Sequence, residues 1–207
     1  MRTVKIVASS SALVLVAGAL LIGGPVGANG KGSSALVARL KNAAGADVGT
    51  VKLRSHHGIV RVTARATGLT PGFHGFHVHT TGLCNPQAKD TTGATVPFFS
   101  AGGHYNPGTK THGAHAGDMP PLLVMSNGRA ELGFTTDRFD VRELTDADGS
   151  AIVVHAGPDN LAHVPAATAT GSERYHSHVD NVFGPDTATR ATGDAGARFA
   201  CGVLRRG

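Results

Sequence analysis

Residues 122–134 read LLVMSNGRAELGF, in which two short apolar runs, 122–125 and 130–134, flank Ser126-Asn127-Gly128. Asn-Gly tolerates the positive φ angles of a primed two-residue turn, so this stretch predicts a β-hairpin. Strand-length runs of the same kind recur along the chain between turn residues, at 35–40, 48–53, 58–66, 75–80, 151–155 and 199–204. About eight short strands and no long amphipathic helix predict an all-β antiparallel sandwich or Greek-key β-barrel.

The first 28 residues have the pattern of an export signal. Arg2 and Lys5 precede an apolar run at 12–22, and Val26-Gly27-Ala28 is a small-residue cleavage pattern. The apolar run is too short to span a membrane, and no later segment approaches the roughly 18 apolar residues required. We therefore expect residues 1–28 to be a signal peptide and 29–207 to be one domain, secreted to the periplasm, cell wall or medium without a transmembrane segment.

Charge and composition narrow the choice of partner. The chain carries 19 Lys and Arg against 14 Asp and Glu, a formal charge of +5. The basic residues are scattered along the sequence and few aromatic residues interleave with them, which argues against a nucleic-acid partner. A homodimer stays open at this stage.

Export also decides how the two cysteines are interpreted. In an oxidising compartment Cys84 and Cys201 are expected to form a disulfide rather than half of a metal site. Two buried, unpaired cysteines are the alternative.

Two long segments, 83–121 and 156–197, lack the strand pattern and are rich in Gly, Pro, Thr, Asn and His. Loops of this length in a compact domain are usually functional or disordered. Seven of the 12 histidines lie between His74 and His115 or at His155, where the second segment begins. The irregular segments are therefore predicted to be functional loops that carry metal ligands.

The histidine spacing indicates metal binding. His77 and His79 occupy positions i and i+2 of a predicted strand and so face the same way, although such a pair alone fits surface histidines equally well. His155 ends the apolar run 151–155 and can be aimed at the same face. A second, closely spaced set supplies three imidazoles and a carboxylate, which suits tetrahedral zinc. That set consists of His104, His112, His115 and Asp118.

Five ordered motifs resemble the secreted bacterial Cu/Zn superoxide dismutases. They are GFHGFHVH at 72–79, GHYNP at 103–107, HAGD at 115–118, VHAGPD at 154–159 and TGDAGARFACGV at 192–203. The resemblance covers almost the whole of 29–207 and implies a flattened Greek-key β-barrel of about eight strands with two long functional loops.

The resemblance also implies a role for each matching residue. Copper ligands would be His77, His79, His104 and His155, and zinc ligands would be His104, His112, His115 and Asp118. A deprotonated His104 would offer one ring nitrogen to each metal. Asp159 would hydrogen-bond His77 and His112, Arg198 would guide the anionic substrate to copper, and Thr192 would narrow the channel.

The implied activity is conversion of superoxide anion to dioxygen and hydrogen peroxide. Copper would cycle between Cu(II) and Cu(I), with His104 leaving copper and taking a proton on reduction, while zinc would be structural. An exported copper- and zinc-binding storage protein without turnover is the alternative. A zinc hydrolase would need an open zinc position, and an adhesive β-sandwich would leave the histidines unexplained.

The sequence departs from the family pattern in two places. The zinc-binding stretch 112–118 is compact, and the segment 156–197 is long and carries His163, His176 and His178. The segment Tyr175-His176-Ser177-His178 could bind or capture copper, but a solvated polar loop is the stronger interpretation. His74 is expected to be a structural histidine bonded to backbone and not a ligand.

Overall fold

The computed structural model of the chain describes residues 35–165, 171 and 173–207. The predicted signal peptide at 1–28 lies outside the described residues, as does the start of the predicted domain. Among the described residues, no helix combines the length and the apolar character that crossing a membrane requires.

The described chain is built mainly from antiparallel strands. They are β1 (Ala35–Asn42), β2 (Asp47–His56), β3 (Ile59–Thr67), β4 (Gly72–His74), β5 (Phe76–His79), β6 (Leu122–Val124), β7 (Arg129–Thr136), β8 (Ala151–His155), β9 (His176–Ser177), β10 (Val182–Phe183), β11 (Arg198–Val203) and β12 (Arg205–Arg206). A short helix, α1 (Thr187–Thr192), and two single 3₁₀ turns, Phe99–Ala101 and Glu143–Thr145, complete the structure.

Ten of the strands form one sheet that nearly closes on itself. Its order is β4-β6-β7-β3-β2-β1-β11-β8-β5, with β12 added to β1. The two ends of this order, β4 and β5, are joined in the chain by Gly75 alone. The predicted all-β antiparallel barrel is therefore confirmed, and all eight predicted strands are present.

The core fills the inside of this barrel. In β3 every second residue is buried, so that Val60, Val62 and Ala64 face inward while the residues between them face solvent. Strands β5 and β8 are buried along their whole length, with Phe76 and Ile152 fully buried. Each large apolar side chain buried in this way contributes about 1.5–3 kcal/mol.

The hairpin between β6 and β7 forms as predicted, but its turn is of another type. Only Gly128 of the three turn residues has a positive φ angle, +75°. The amide of Gly128 donates to the carbonyl of Met125, and the Asn127 side chain accepts from the amide of Arg129. The prediction of a primed turn is therefore wrong. Three connecting residues, with glycine in the left-handed position, also match the strand twist.

The second long loop has more regular structure than the sequence pattern indicated. Strands β9 and β10 form a small hairpin. Helix α1 begins where the Asp186 side chain accepts from the amide of Thr189, and it ends at Gly193 in the left-handed conformation. These elements were missed because two strand residues or six helical residues carry too little periodicity to be recognised.

The Cys84–Cys201 disulfide is confirmed. It joins the loop after β5 to strand β11 and packs in a small cluster with Phe98, Ala101 and Val153. The disulfide therefore fixes the first long loop to β11, a strand inside the sheet between β1 and β8.

We predict that Cys84→Ala combined with Cys201→Ala lowers the free energy of unfolding by about 2–5 kcal/mol, because the bond spans 117 residues and restricts the unfolded chain. Urea unfolding of the double variant measures the change, and the unaltered chain kept in reductant is the control. Equal stability of the variant and the oxidised chain would contradict the prediction.

Candidate metal centre

Strand β5 supplies the first two histidines, and a loop segment lies directly against it. His77 and His79 are almost completely buried, at 0% and 1% exposure. The amide of Tyr105 donates to the carbonyl of Val78, and the amide of Val78 donates to the carbonyl of Gly117. A Cβ atom at Gly117 would collide with the Val78 carbonyl oxygen, so only glycine permits this approach.

These contacts bring the remaining ligand candidates of the first loop to β5. His104 pairs with His79, and Asp118 pairs with His77, each as an isolated antiparallel bridge. His155 arrives from β8, the strand paired with β5. The structure thus brings together residues that lie up to 78 positions apart, from His77 to His155.

The first donor group consists of four buried imidazoles. Each of them offers one ring nitrogen, and these nitrogens lie within 4.8 Å of one another. Each also has one buried ring nitrogen with no hydrogen-bond partner in the described structure; these atoms are His77 Nδ1, His79 Nε2, His104 Nε2 and His155 Nε2. Four unpartnered lone pairs that converge fit a copper ion, which accepts imidazole ligands readily.

The opposite ring nitrogens hold three of these rings in place. His79 Nδ1 donates to the carbonyl of Gly102 at 2.9 Å, and His155 Nδ1 donates to the carbonyl of Gly196 at 3.0 Å. His77 Nε2 donates to Asp159 Oδ2 at 2.6 Å. With the proton fixed on the outer nitrogen, the inner nitrogen carries the lone pair that a metal ligand needs.

A second donor set lies on the other side of His104. Its four atoms are His104 Nδ1, His112 Nδ1, His115 Nδ1 and Asp118 Oδ1, and five of their separations lie between 2.9 and 3.4 Å. A tetrahedral zinc ion with ligands at about 2.0–2.1 Å requires donor separations of about 3.3–3.4 Å. The set therefore has the size of a zinc site.

His104 and His77 connect the two sets. His77, His104, His112 and Asp118 also offer donor atoms within 4.8 Å of one another. The His77 and His104 rings stack, with centroids 3.9 Å apart. His104 directs Nδ1 to the second set and Nε2 to the first, so both of its ring nitrogens face donor groups.

Asp159 links one ring of each set. Its two carboxylate oxygens accept from His77 Nε2 at 2.6 Å and from His112 Nε2 at 2.8 Å. Gly193 packs against this contact, and a Cβ atom there would overlap Asp159 and His112. Asp159 therefore orients both imidazoles at once.

Burial keeps the first set of imidazoles uncharged. Burial, together with nearby positive charge, lowers the pKa of His104 to about 4 and that of His155 to about 3. The pKa of His79 is also well below its usual value, and that of His77 is lowered less because Asp159 opposes the effect of burial. Neutral imidazoles are the form that binds metal.

Asp118 and Asp159 stay ionised because histidines donate hydrogen bonds to them. Burial alone would raise the pKa of Asp118 and Asp159, but hydrogen bonds from the histidines lower both well below the usual range. His112 contacts both carboxylates, which outweigh the effect of its burial and raise its pKa to about 9.

Arg198 lies beside the first set. It pairs with His155 across a bulge in the β11–β8 ladder, and its positive charge contributes to the lowered pKa values of His79 and His155. Its guanidinium donates to the carbonyl oxygens of Phe98 and Gly102 at 2.5 and 2.7 Å. Because Gly102 also accepts from His79, the arginine and this imidazole share an anchor.

Comparison with known proteins identifies the family. The copper/zinc superoxide dismutase (SODC) model matches residues 48–204. The chain belongs to this family. Superoxide dismutase [Cu-Zn] of Mycobacterium tuberculosis is 42% identical over 180 residues, covering 85% of this chain and 72% of that protein. The Photobacterium leiognathi enzyme of the same name is 36% identical over 168 residues, covering 78% and 80%.

Solved structures of superoxide dismutase and of a SOD-like protein superpose on the chain. Cu/Zn superoxide dismutase from Brucella abortus superposes with a TM-score of 0.61 at 26% identity, covering 83% of this chain and 99% of that one. A SOD-like protein from Bacillus subtilis gives a TM-score of 0.59 at 27% identity, covering 82% and 97%. Copper and zinc are the metals of this family, and the two donor sets can hold them.

Arg138 is a residue of the site that the sequence did not reveal. From the segment after β7, its guanidinium donates to the carbonyl oxygens of Gly113, His115 and Asp118 at 3.2–3.4 Å. It therefore holds the stretch 112–118, which contains three of the candidate zinc ligands. No local motif marks this arginine, because its three partners lie 20–25 positions earlier in the chain.

The other singled-out residues lie outside the donor sets. His74 is confirmed as a structural histidine, since its ring nitrogens lie 2.8 Å from the carbonyl oxygens of His155 and Thr70. Thr192 Oγ1 donates to the carbonyl of Ala188, and its role in a channel stays a prediction. Neither donor group found among the described residues includes His163, His176 or His178.

We predict that Arg138→Ala loosens the loop at 113–118, because three carbonyl groups lose one shared donor. Hydrogen exchange of the metal-free protein should become faster at the backbone amides of 113–118. The free energy of unfolding should fall by about 1–3 kcal/mol. Arg142→Ala is the control, since Arg142 pairs with Asp140 at the surface and should contribute less than about 1 kcal/mol. Unchanged hydrogen exchange at 113–118 would show that Arg138 does not restrain this loop.

Proposed function

We propose that the protein is an exported superoxide dismutase that converts superoxide to dioxygen and hydrogen peroxide. Copper would be held by His77, His79, His104 and His155, and zinc by His104, His112, His115 and Asp118. The observation that carries the proposal is the convergence of four buried, unpartnered ring nitrogens, one of which belongs to an imidazole that also faces a second donor set.

Copper bound by the four imidazoles would supply the electron transfer between successive superoxide anions, while bound zinc would have no redox role. The protein's part is to fix the ligands and to manage protons. His104 Nε2 is buried beside the copper donors, so a proton held there is close to the place where peroxide needs it. A histidine ring nitrogen that is freed from a ligand can take up and release a proton, which is the property this role requires.

Arg198 attracts and orients the anion. Two of its N–H groups donate to carbonyl oxygens, which leaves further N–H groups on the same guanidinium for a small anion. The group is charged at any relevant pH and lies beside His79 and His155. A positive charge at this place raises the local concentration of superoxide and binds it next to copper.

Asp159 and zinc fix the geometry. Asp159 fixes the protonated nitrogens of His77 and His112, which orients one copper ligand and one zinc ligand together. Zinc bound by four protein ligands would leave no open coordination position, which disfavours a zinc hydrolase.

Export is part of the proposal. The Cys84–Cys201 disulfide fits an oxidising compartment. Membership of the bacterial Cu/Zn superoxide dismutase family also agrees with export. The signal peptide at 1–28 would deliver the protein there. The homodimer stays a prediction.

We predict that the full mature chain, loaded with copper and zinc, removes superoxide catalytically and that removal of copper by a chelator abolishes this activity. Metal analysis and a superoxide-decay assay on the same samples test this. Zinc alone should give no activity. Stoichiometric binding of both metals without turnover would favour a storage protein and refute the proposal.

We predict that Arg198→Ala lowers kcat/KM for superoxide about tenfold and reduces its dependence on ionic strength, with metal content unchanged. Arg61→Ala, on the exposed face of β3, removes the same charge elsewhere and should leave the rate close to that of the unaltered chain. Equal rates for the two variants would show that Arg198 does not guide the substrate.

A further inference from the structure

One outer face of the barrel collects cationic side chains that are scattered in the sequence. Because strand residues alternate between the two faces of a sheet, basic residues spaced two or four apart come to the same side. We call this the basic face; its exposed cations are Arg39 and Lys41 on β1, Lys52 and Arg54 on β2, Arg61 and Arg65 on β3, Arg129 on β7 and Arg205 on β12. They are eight of the chain's 19 Lys and Arg residues.

Acidic residues do not balance these cations. Asp47 and Glu131 are the acidic residues of the strands that form this face, and they pair with Lys41 and Arg65. Arg54 and Arg61 lie directly opposite each other in the β2–β3 ladder, an arrangement that like-charge repulsion disfavours. Arg54 and Arg61 form no ion pair with a described residue. The surplus charge is therefore available to an external anion.

A trough runs across the basic face. One depression of about 650 Å³ is lined by Thr50, Lys52, Thr63 and Gly133, among others. A second, of about 640 Å³, is lined by Arg39, Arg205 and Arg206 and shares Thr50 and Lys52 with the first. The two depressions adjoin at these shared residues and together form the trough, with threonine hydroxyls and cationic groups along their walls and Glu131, paired with Arg65, in the first.

Gly133 leaves open space at the wall of the first depression. It occupies the interior of β7, opposite Thr63, where glycine weakens a strand. Its φ angle is not positive, and an added Cβ atom would meet nothing within 4 Å. No contact in the described structure therefore requires glycine here, although glycine in a strand often marks the close approach of a ligand. Gly49 differs, because a Cβ atom there would collide with the carbonyl of Arg65.

We propose that the trough binds a linear phosphate polymer. Guanidinium and ammonium groups with threonine hydroxyls suit phosphate oxygens, and two adjoining cationic depressions suit a chain that reaches both more than a single anion. The exposed side of these strands carries no Phe, Tyr or Trp on which a nucleic-acid base could stack, and His56 at the end of β2 is its one exposed ring. It also lacks the cluster of large apolar side chains that would enter a lipid surface.

The trough is separate from the metal centre. In the sheet, β2 is separated from β8, which carries His155, by β1 and β11. Occupation of the trough therefore leaves the donor sets in place, and the proposal does not depend on the dismutase activity. Binding in the trough would hold the protein on a phosphate-rich polymer.

Binding of inorganic polyphosphate to the full mature chain, measured by calorimetry at low and at physiological ionic strength, tests the proposal. We expect Arg39→Gln with Lys52→Gln to weaken binding about tenfold and to reduce its salt dependence. Lys89→Gln with Lys110→Gln removes two exposed loop charges and is the matched control, with a change below about threefold. Gly133→Val fills the trough without altering charge and should weaken binding about tenfold while the fold keeps its stability.

Three results would overturn the proposal. Equal losses in the two double variants would show a diffuse charge effect. Unchanged binding by Gly133→Val would show that the trough is not occupied. Tighter binding to single-stranded DNA or to phosphatidylglycerol vesicles than to polyphosphate, at equal phosphate concentration, would assign the face to a nucleic acid or to a membrane. Superoxide decay should be the same for all these variants.

Discussion

The metal centre depends on one constraint: buried imidazole nitrogens need partners. Three of the four rings in the first set use their outer nitrogen to bond a carbonyl or Asp159, and the fourth, His104, directs its outer nitrogen to Asp118. Their inner nitrogens converge without a protein partner. Burying such atoms unpaired costs free energy, so an ion that takes the lone pairs stabilises the arrangement. Copper meets this requirement, and the family to which the chain belongs uses it.

The barrel supplies the rigidity that this arrangement needs. Strands β5 and β8 are buried along their length and fix His77, His79 and His155, while the first loop is bonded to β5 as if it were a further strand. The disulfide ties the same loop to β11, close to the carbonyl groups that hold Arg198. Arg138 and Asp159 restrain the zinc-binding stretch from two sides. Ligands from loops can thus be placed as accurately as ligands from strands.

The sequence predicted what depends on local pattern. Short apolar or alternating runs between turn residues predicted the eight strands, and residues such as His77 and His79, spaced two apart, could be placed on one face. It did not predict the turn at Gly128, whose type depends on strand twist, or the elements β9, β10 and α1, which are too short to show periodicity. Arg138 and the basic face were missed for another reason. Both arise when residues distant in the chain are brought together by pairing of strands and loops, and no spacing in the sequence reports this.

Anomalous diffraction from crystals of the metal-loaded protein can show whether the His104 ring is shared by a copper and a zinc ion. Data collected at the copper and zinc absorption edges locate each element separately. We expect one copper and one zinc ion, with His104 binding copper through Nε2 and zinc through Nδ1. A single metal position, or a His104 ring that binds neither or only one of the two ions in the oxidised protein, would contradict it.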